Sequence, residues 1–355
     1  MKIFNKKVAM SLMLGAAPLI SSSALHAAPA LGTGFVYTGN EGGNSISTID
    51  LGSGQVKTTK VSISPHNVQI SRDGHLLFAV GMVANQGGGH AAMEGMANGG
   101  GKKRRGRLLI LDAQKMGIKS ASAVEVGVAP AHVVIDRQNR RAYVTNGGDN
   151  NLSVVDVASR KVVATIKTGD SPHGLRFSPD GREIYVANTG GNSVSVINVG
   201  MGKEVGRIWV GKAPVQVGFT PNGLRVYVSL RDQNGVAVID TARRKKLATI
   251  AVGRNPIQVF ATPGGKTVYV ANQGSEDNPA STVSVINTAT NRVVSTVITG
   301  QGAHGVVVNG DGKRAFIANT FADTVSVIDT ETNKNLRNIK VGKGPGGITF
   351  RSAAR

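Results

Sequence analysis

The chain has 355 residues and no cysteine, and 41 Lys and Arg against 21 Asp and Glu give a formal charge of +20. Without thiols, disulfides, thiolate metal ligands and cysteine nucleophiles are excluded, and the excess of positive charge favours anionic partners. Aromatic residues make up 4%, which leaves little surface on which bases could stack and argues against specific nucleic-acid recognition.

The first element is a leader. Lys2, Lys6 and Lys7 precede an apolar stretch at 8–20, and small residues fill 21–27. This pattern predicts a secretory signal peptide over 1–27, cleaved after Ala27. The apolar stretch is short for a membrane span, and no later segment is long and apolar, so a soluble mature protein in a Gram-negative periplasm is expected. Loss of the three leader lysines leaves a charge of +17.

From residue 28 to 355 one phrase recurs. It reads Val-Tyr-Thr-Gly-Asn at 36–40, Leu-Phe-Ala-Val-Gly at 77–81 and Ala-Tyr-Val-Thr-Asn at 142–146. It continues as Ile-Tyr-Val-Ala-Asn at 184–188, Val-Tyr-Val-Ser-Leu at 226–230, Val-Tyr-Val-Ala-Asn at 268–272 and Ala-Phe-Ile-Ala-Asn at 315–319. Tyr143, Tyr185, Tyr227 and Tyr269 lie 42 residues apart. A period of 40–45 residues built from short strands is the signature of propeller blades. Residues 172–177 read as a first strand, 183–188 as a second, 193–197 as a third and 204–210 as a fourth. Pro-Asp-Gly at 179–181 supplies the first turn.

Seven units are predicted, so the fold class is all-β, a seven-bladed β-propeller. The chain enters at Phe35 in the phase of a second strand. Its last segment, 345–350, is a first strand with nothing after it, and is expected to complete blade 1 and close the ring. The terminal Asp or Asn of each third strand, such as Asp156, Asp240 and Asp329, reads as a turn former.

The Tyr-Val-Thr-Asn phrases with their Pro-Asp-Gly turns resemble the YVTN-type β-propeller repeat family, over about residues 34–352. The resemblance implies the scaffold. Relatives include surface-layer and periplasmic proteins, with sugar lactonases more distant. One fold of this kind carries many functions.

Two insertions break the period. A glycine-rich stretch at about 82–107, containing His90, Met93 and Met96, reads as a flexible loop between the second and third strands of blade 2. A shorter insertion surrounds 274–279 in blade 6. Both belong to the face on which inner strands begin, and long loops on one rim of a rigid scaffold are where function collects.

His66, His173 and His304 each stand twelve residues before the phase-marking aromatic, at the start of the inner strands of blades 2, 4 and 7. His132 is one residue later in its repeat. Two readings follow. The apolar residues two and four positions on suggest that these histidines pack and hydrogen-bond between blades. Alternatively they converge with His90, Met93 and Met96 on a copper or zinc ion at the channel mouth, with bonds of about 2.0–2.1 Å for zinc.

The expected function is an exported binding or scaffolding protein without catalysis, whose partner is a periplasmic protein, an anionic surface or a metal ion. No cofactor is certain and the oligomeric state is left open. The alternative is a rim-site enzyme, lactonase-like or metal-dependent, using Glu276, Asp277, Asp149 or Glu94 with a rim histidine. The basic runs at 102–107 and 243–246 read as solvated charge or as docking patches.

Overall fold

The computed structural model describes residues 1, 31–84, 104–113 and 116–353. Among these there is no α-helix. Seven antiparallel sheets of four strands each form the blades of a closed propeller. The inner strands of blades 1 to 7 are Pro345–Arg351, Ile63–Ile70, Pro130–Ile135, Pro172–Phe177, Pro214–Phe219, Pro256–Ala261 and Ala303–Val308.

Blade 4 shows how residues dictate the unit. Ser178-Pro-Asp-Gly181 turns the chain because Gly181 takes a φ of +79°, a region that costs a side-chain-bearing residue strain. The second strand, Glu183–Asn188, then pairs with the third, Ser193–Asn198, placing Tyr185 opposite Val196 and Asn188 opposite Ser193. Tyr185 is fully buried and meets Phe219 of blade 5 edge-on at 4.9 Å. Tyr143 meets Phe177 in the same way at 5.4 Å. The repeated aromatic is therefore the packing element that joins each blade to the next inner strand. Burial pushes the Tyr185 and Tyr269 hydroxyls up to about 12.

The repeated asparagine is a clamp. Asn188 Nδ2 donates to Ser193 Oγ (3.1 Å) and to Ser195 Oγ (2.9 Å). Asn40, Asn146 and Asn319 make equivalent pairs of bonds. Because the site is buried, Asn188→Ala leaves polar groups without partners. A loss of about 2–3 kcal/mol in urea unfolding is expected.

The tail closes the ring as the sequence indicates. Pro345–Arg351 pairs antiparallel with Phe35–Asn40, setting Phe350 opposite Val36 and Thr349 opposite Tyr37. It also stacks Phe350 on Phe316 of blade 7 at 6.1 Å.

The blade-6 insertion is described, whereas most of the expected blade-2 loop lies outside the described residues and its ends at 82–83 and 105–107 are strand. In blade 2 the second and third strands are Leu76–Val83 and Arg105–Ala113, and the residues between 85 and 103 lie outside the described part. In blade 6 the hairpin lengthens to Gly274 and Pro279, which pair. Thr189, just past the second strand of blade 4, donates to Pro214 O at the start of blade 5 (2.7 Å). Second-to-third turns and inner-strand starts thus share one face.

The third-strand carboxylates are structural. Asp156 and Asp329 accept backbone N–H groups of their turns, and Asp240 also pairs with Arg225 and Arg243. In the 243–246 run, Arg244 is held by Glu183 and Lys246 by Val210 O. That run is partly spent on internal contacts.

Candidate active site

Each inner strand starts with a register irregularity. It lies between Pro65 and Asn67 in blade 2, and between Pro172 and Leu175 in blade 4. In blade 3 the paired positions jump from Pro130 to Val133. A bulge of this kind re-aims side chains that strict alternation would send to opposite faces. It allows His132, one residue out of phase, to join His66 and His173. Neighbouring inner strands approach closely here: a Cβ on Gly174 would overlap Gln216 Oε1 and Val215 O.

The rings of His66, His132 and His173 gather around one point. Their centroids are 5.6 Å (66–132), 5.1 Å (66–173) and 4.9 Å (132–173) apart. One ring nitrogen from each lies within 4.8 Å of the others. His304 is further off, 6.1 Å from His66, with Nδ1 on Gly346 O at 3.3 Å. His66, His132 and His304 are buried and His173 is half-buried, so His173 is the member of the trio that meets solvent.

Hydrogen bonds assign the tautomers. His66 Nδ1 donates to Glu41 Oε2 (3.2 Å), because a carboxylate only accepts. His173 Nδ1 donates to the Val215 carbonyl (3.2 Å). In the neutral rings both Nε2 atoms then carry lone pairs, and these two nitrogens face each other at 3.2 Å. His132 differs. Gln216 Oε1 accepts from Val217 N (2.9 Å), which orients the amide so that its Nε2 donates to His132 Nδ1 (3.3 Å). His132 Nε2 is buried without a hydrogen-bond partner.

Burial, followed by the charges of His173, His66, Arg176 and His304, holds the His132 ring well below the usual histidine value. The unfolded chain therefore binds this proton first. The stabilising contribution is complete above about pH 6.5 and fades as pH falls from there toward the folded value. The urea midpoint should drop on acidification from neutrality, and His132→Asn should flatten that dependence. Arg176, on the inner strand that carries His173, is lowered by burial to about 10 and stays cationic at neutral pH.

Both expected arrangements are present: His66, His173 and His304 each hydrogen-bond to a neighbouring blade, and His66, His132 and His173 also converge. Of the four histidines named from the sequence, His66, His132 and His173 form the trio and His304 stands beside it. His90, Met93, Met96 and Glu94 lie outside the described residues. Glu276 and Asp277 are exposed on the blade-6 turn, and Asp149 accepts from Val128 N (2.9 Å) in a structural turn. The carboxylate that reaches the histidines is Glu41, which the sequence reading missed. Its signal was its position, directly after the repeat phrase that ends at Asn40. Gln216, one residue past the histidine phase of blade 5, was missed as well.

The family model described as "Lactonase, 7-bladed beta-propeller" matches residues 107–247. A search of curated proteins gives no match. Among solved structures, the chain resembles the periplasmic gluconolactonase of Pseudomonas aeruginosa, with 18% identity over 90% of this chain and 99% of that one and a TM-score of 0.69. It resembles a candidate 6-phosphogluconolactonase of Bacteroides uniformis, with 16% identity over 90% and 100% and a TM-score of 0.70. It also resembles Kuenenia stuttgartiensis hydrazine synthase, with 22% identity over 83% and 97% and a TM-score of 0.68. At these identities the likeness is one of fold.

The family match over residues 107–247 overturns the expectation of a non-catalytic binding or scaffolding protein. It favours the reading held second to it, a rim-site hydrolase of lactonase type. Among the described residues, no helix is long and apolar enough to cross a membrane.

Proposed function

We propose that this protein is an exported lactone hydrolase that opens a sugar-acid lactone at the channel mouth, beside His66, His173 and Glu41. The observation that carries the reading is the line from Glu41 through His66 to His173, with both Nδ1 protons committed to acceptors. Two facing lone pairs repel, and a proton placed between them removes the repulsion. The pair can therefore share one proton taken from a water, and Glu41 offsets the positive charge that results. The lactonase family match over 107–247 supports this chemistry from outside the site.

In the reaction a water oxygen bonds to the lactone carbonyl carbon while the histidine pair takes a proton from that water. The ring C–O bond then breaks. The leaving oxygen receives the proton back, and the product is an open hydroxy acid. The roles are those of general base and then general acid. Arg176 adds positive charge that attracts an anionic lactone and stabilises the carboxylate product. The leader pattern over 1–27 and the periplasmic gluconolactonase among the neighbours support a periplasmic location.

Proton release from glucono-1,5-lactone and its 6-phosphate, followed in a weakly buffered indicator assay, tests the reading. Hydrolysis well above the spontaneous rate is expected for at least one of them. Glu41→Gln removes the charge that stabilises the protonated pair and should lower kcat by about 10- to 100-fold with little change in KM. No hydrolysis above background by folded protein at high concentration would refute the proposal.

A further inference from the structure

We infer that His66, His132 and His173 form a binding site for one divalent first-row transition-metal ion of the zinc type. The geometry comes first. Three imidazoles bound to one tetrahedral ion, with bonds of about 2.0–2.1 Å, hold their ring centroids roughly 5 Å apart and their donor nitrogens roughly 3.3 Å apart. The observed centroid separations are 4.9, 5.1 and 5.6 Å, and His66 Nε2 and His173 Nε2 are already 3.2 Å apart. Only His132 must close in to complete the set.

The outer contacts point the same way. A metal-bound histidine donates its other N–H to a carboxylate or a backbone carbonyl, which fixes the ring and its tautomer. His66 does so to Glu41 and His173 to Val215 O. Independently, His132 Nε2 is a buried polar atom without a hydrogen-bond partner, on a ring that is 0% exposed. Such an atom calls for an explanation, and a metal bond supplies one.

Ligand chemistry narrows the ion. Neutral imidazole suits zinc, copper and nickel, whereas magnesium and calcium require oxygen donors. Three protein ligands leave a fourth position for water, directed toward the half-buried His173 side. One contact opposes the site: Gln216 donates to His132 Nδ1, so ligation through Nε2 requires that amide to turn and accept. Gln216→Glu replaces the donor with an acceptor and should therefore tighten binding.

The same Nε2 lone pairs cannot ligate an ion and share a proton at once, so the metal site belongs to a metal-loaded form of the protein and the proposed hydrolysis to its metal-free form. The readout is metal uptake by chelator-treated protein, which does not depend on lactone hydrolysis. Titration with Zn²⁺ against a chromophoric chelator should show one ion per chain. His66→Ala, His132→Ala and His173→Ala should each weaken binding by about 100-fold or more, His304→Ala by less than about 3-fold, and Gln216→Glu should strengthen it by about 10-fold. Zn²⁺ and not Mg²⁺ should raise the thermal midpoint of the unaltered protein, a result that needs no variant to fold. His132→Gln serves where the alanine variant is unstable. Absence of zinc uptake, uptake indifferent to the three substitutions, or an equal loss with His304→Ala would overturn the inference. A hydrolase that takes up no zinc would leave the proton-sharing pair as the whole site.

Discussion

His66→Ala is expected to lower lactone hydrolysis by about 100- to 10,000-fold, the usual range for removing a general base. The ring is buried, so the substitution does two things. It takes away the nitrogen that faces His173 at 3.2 Å, and it leaves Glu41 without the donor that its carboxylate holds. His173 alone keeps one lone pair and loses both the facing nitrogen and the compensating charge behind it. The loss should appear in kcat more than in KM, because His66 is buried and His173 is the member of the pair that meets solvent. Circular dichroism and a cooperative urea transition check that the propeller survives. Folded His66→Ala protein with unaltered kcat would remove the pair from the mechanism.

Truncation after Gly344 should abolish the cooperative fold. The tail supplies the inner strand of blade 1 through Pro345–Arg351, pairing from Arg351 opposite Phe35 to Pro345 opposite Asn40. Ile348 and Thr349 are buried, Phe350 stacks on Phe316, and Arg351 Nη1 donates to Ala113 O (3.2 Å). The strand bonds at about 1 kcal/mol each and the apolar side chains at about 2 kcal/mol each sum to the order of 10 kcal/mol. That is comparable with the whole stability of a typical domain, roughly 5–15 kcal/mol. An opened ring also leaves Phe35–Asn40 with an unpaired edge and uncovers the apolar face of blade 7 around Phe316, which favours aggregation. A truncated chain that melts cooperatively at the native midpoint would show that closure contributes little.

The two experiments probe opposite ends of the same geometry. The ring brings residues from blades 1, 2, 3, 4 and 5 to one opening, and the tail that closes it runs beside His66. Gly347 is the junction: a Cβ there would crowd Asn67 and His66 O. A larger residue at 347 would therefore disturb closure and the histidine trio together.

Much of this was legible in the chain itself. The 42-residue step of the tyrosines, the Pro-Asp-Gly turns and the matching phases of residues 35 and 345 determined blade number, strand order and closure, because each depends on local periodicity and turn chemistry. The recurrent asparagine and the third-strand aspartates were readable as structural, since their partners lie a few residues away. The chemistry was not readable in this way. Strict alternation left packing between blades and convergence as open alternatives for the histidine phase, and the bulge at each inner-strand start lets His66, His132 and His173 come together. Glu41 and Gln216 stand far from these histidines in sequence, and their contacts depend on how adjacent inner strands settle against one another. Repeats and turns are short-range consequences of the residues, whereas the opening is made by side chains from five blades, and only the closed ring decides which of them meet.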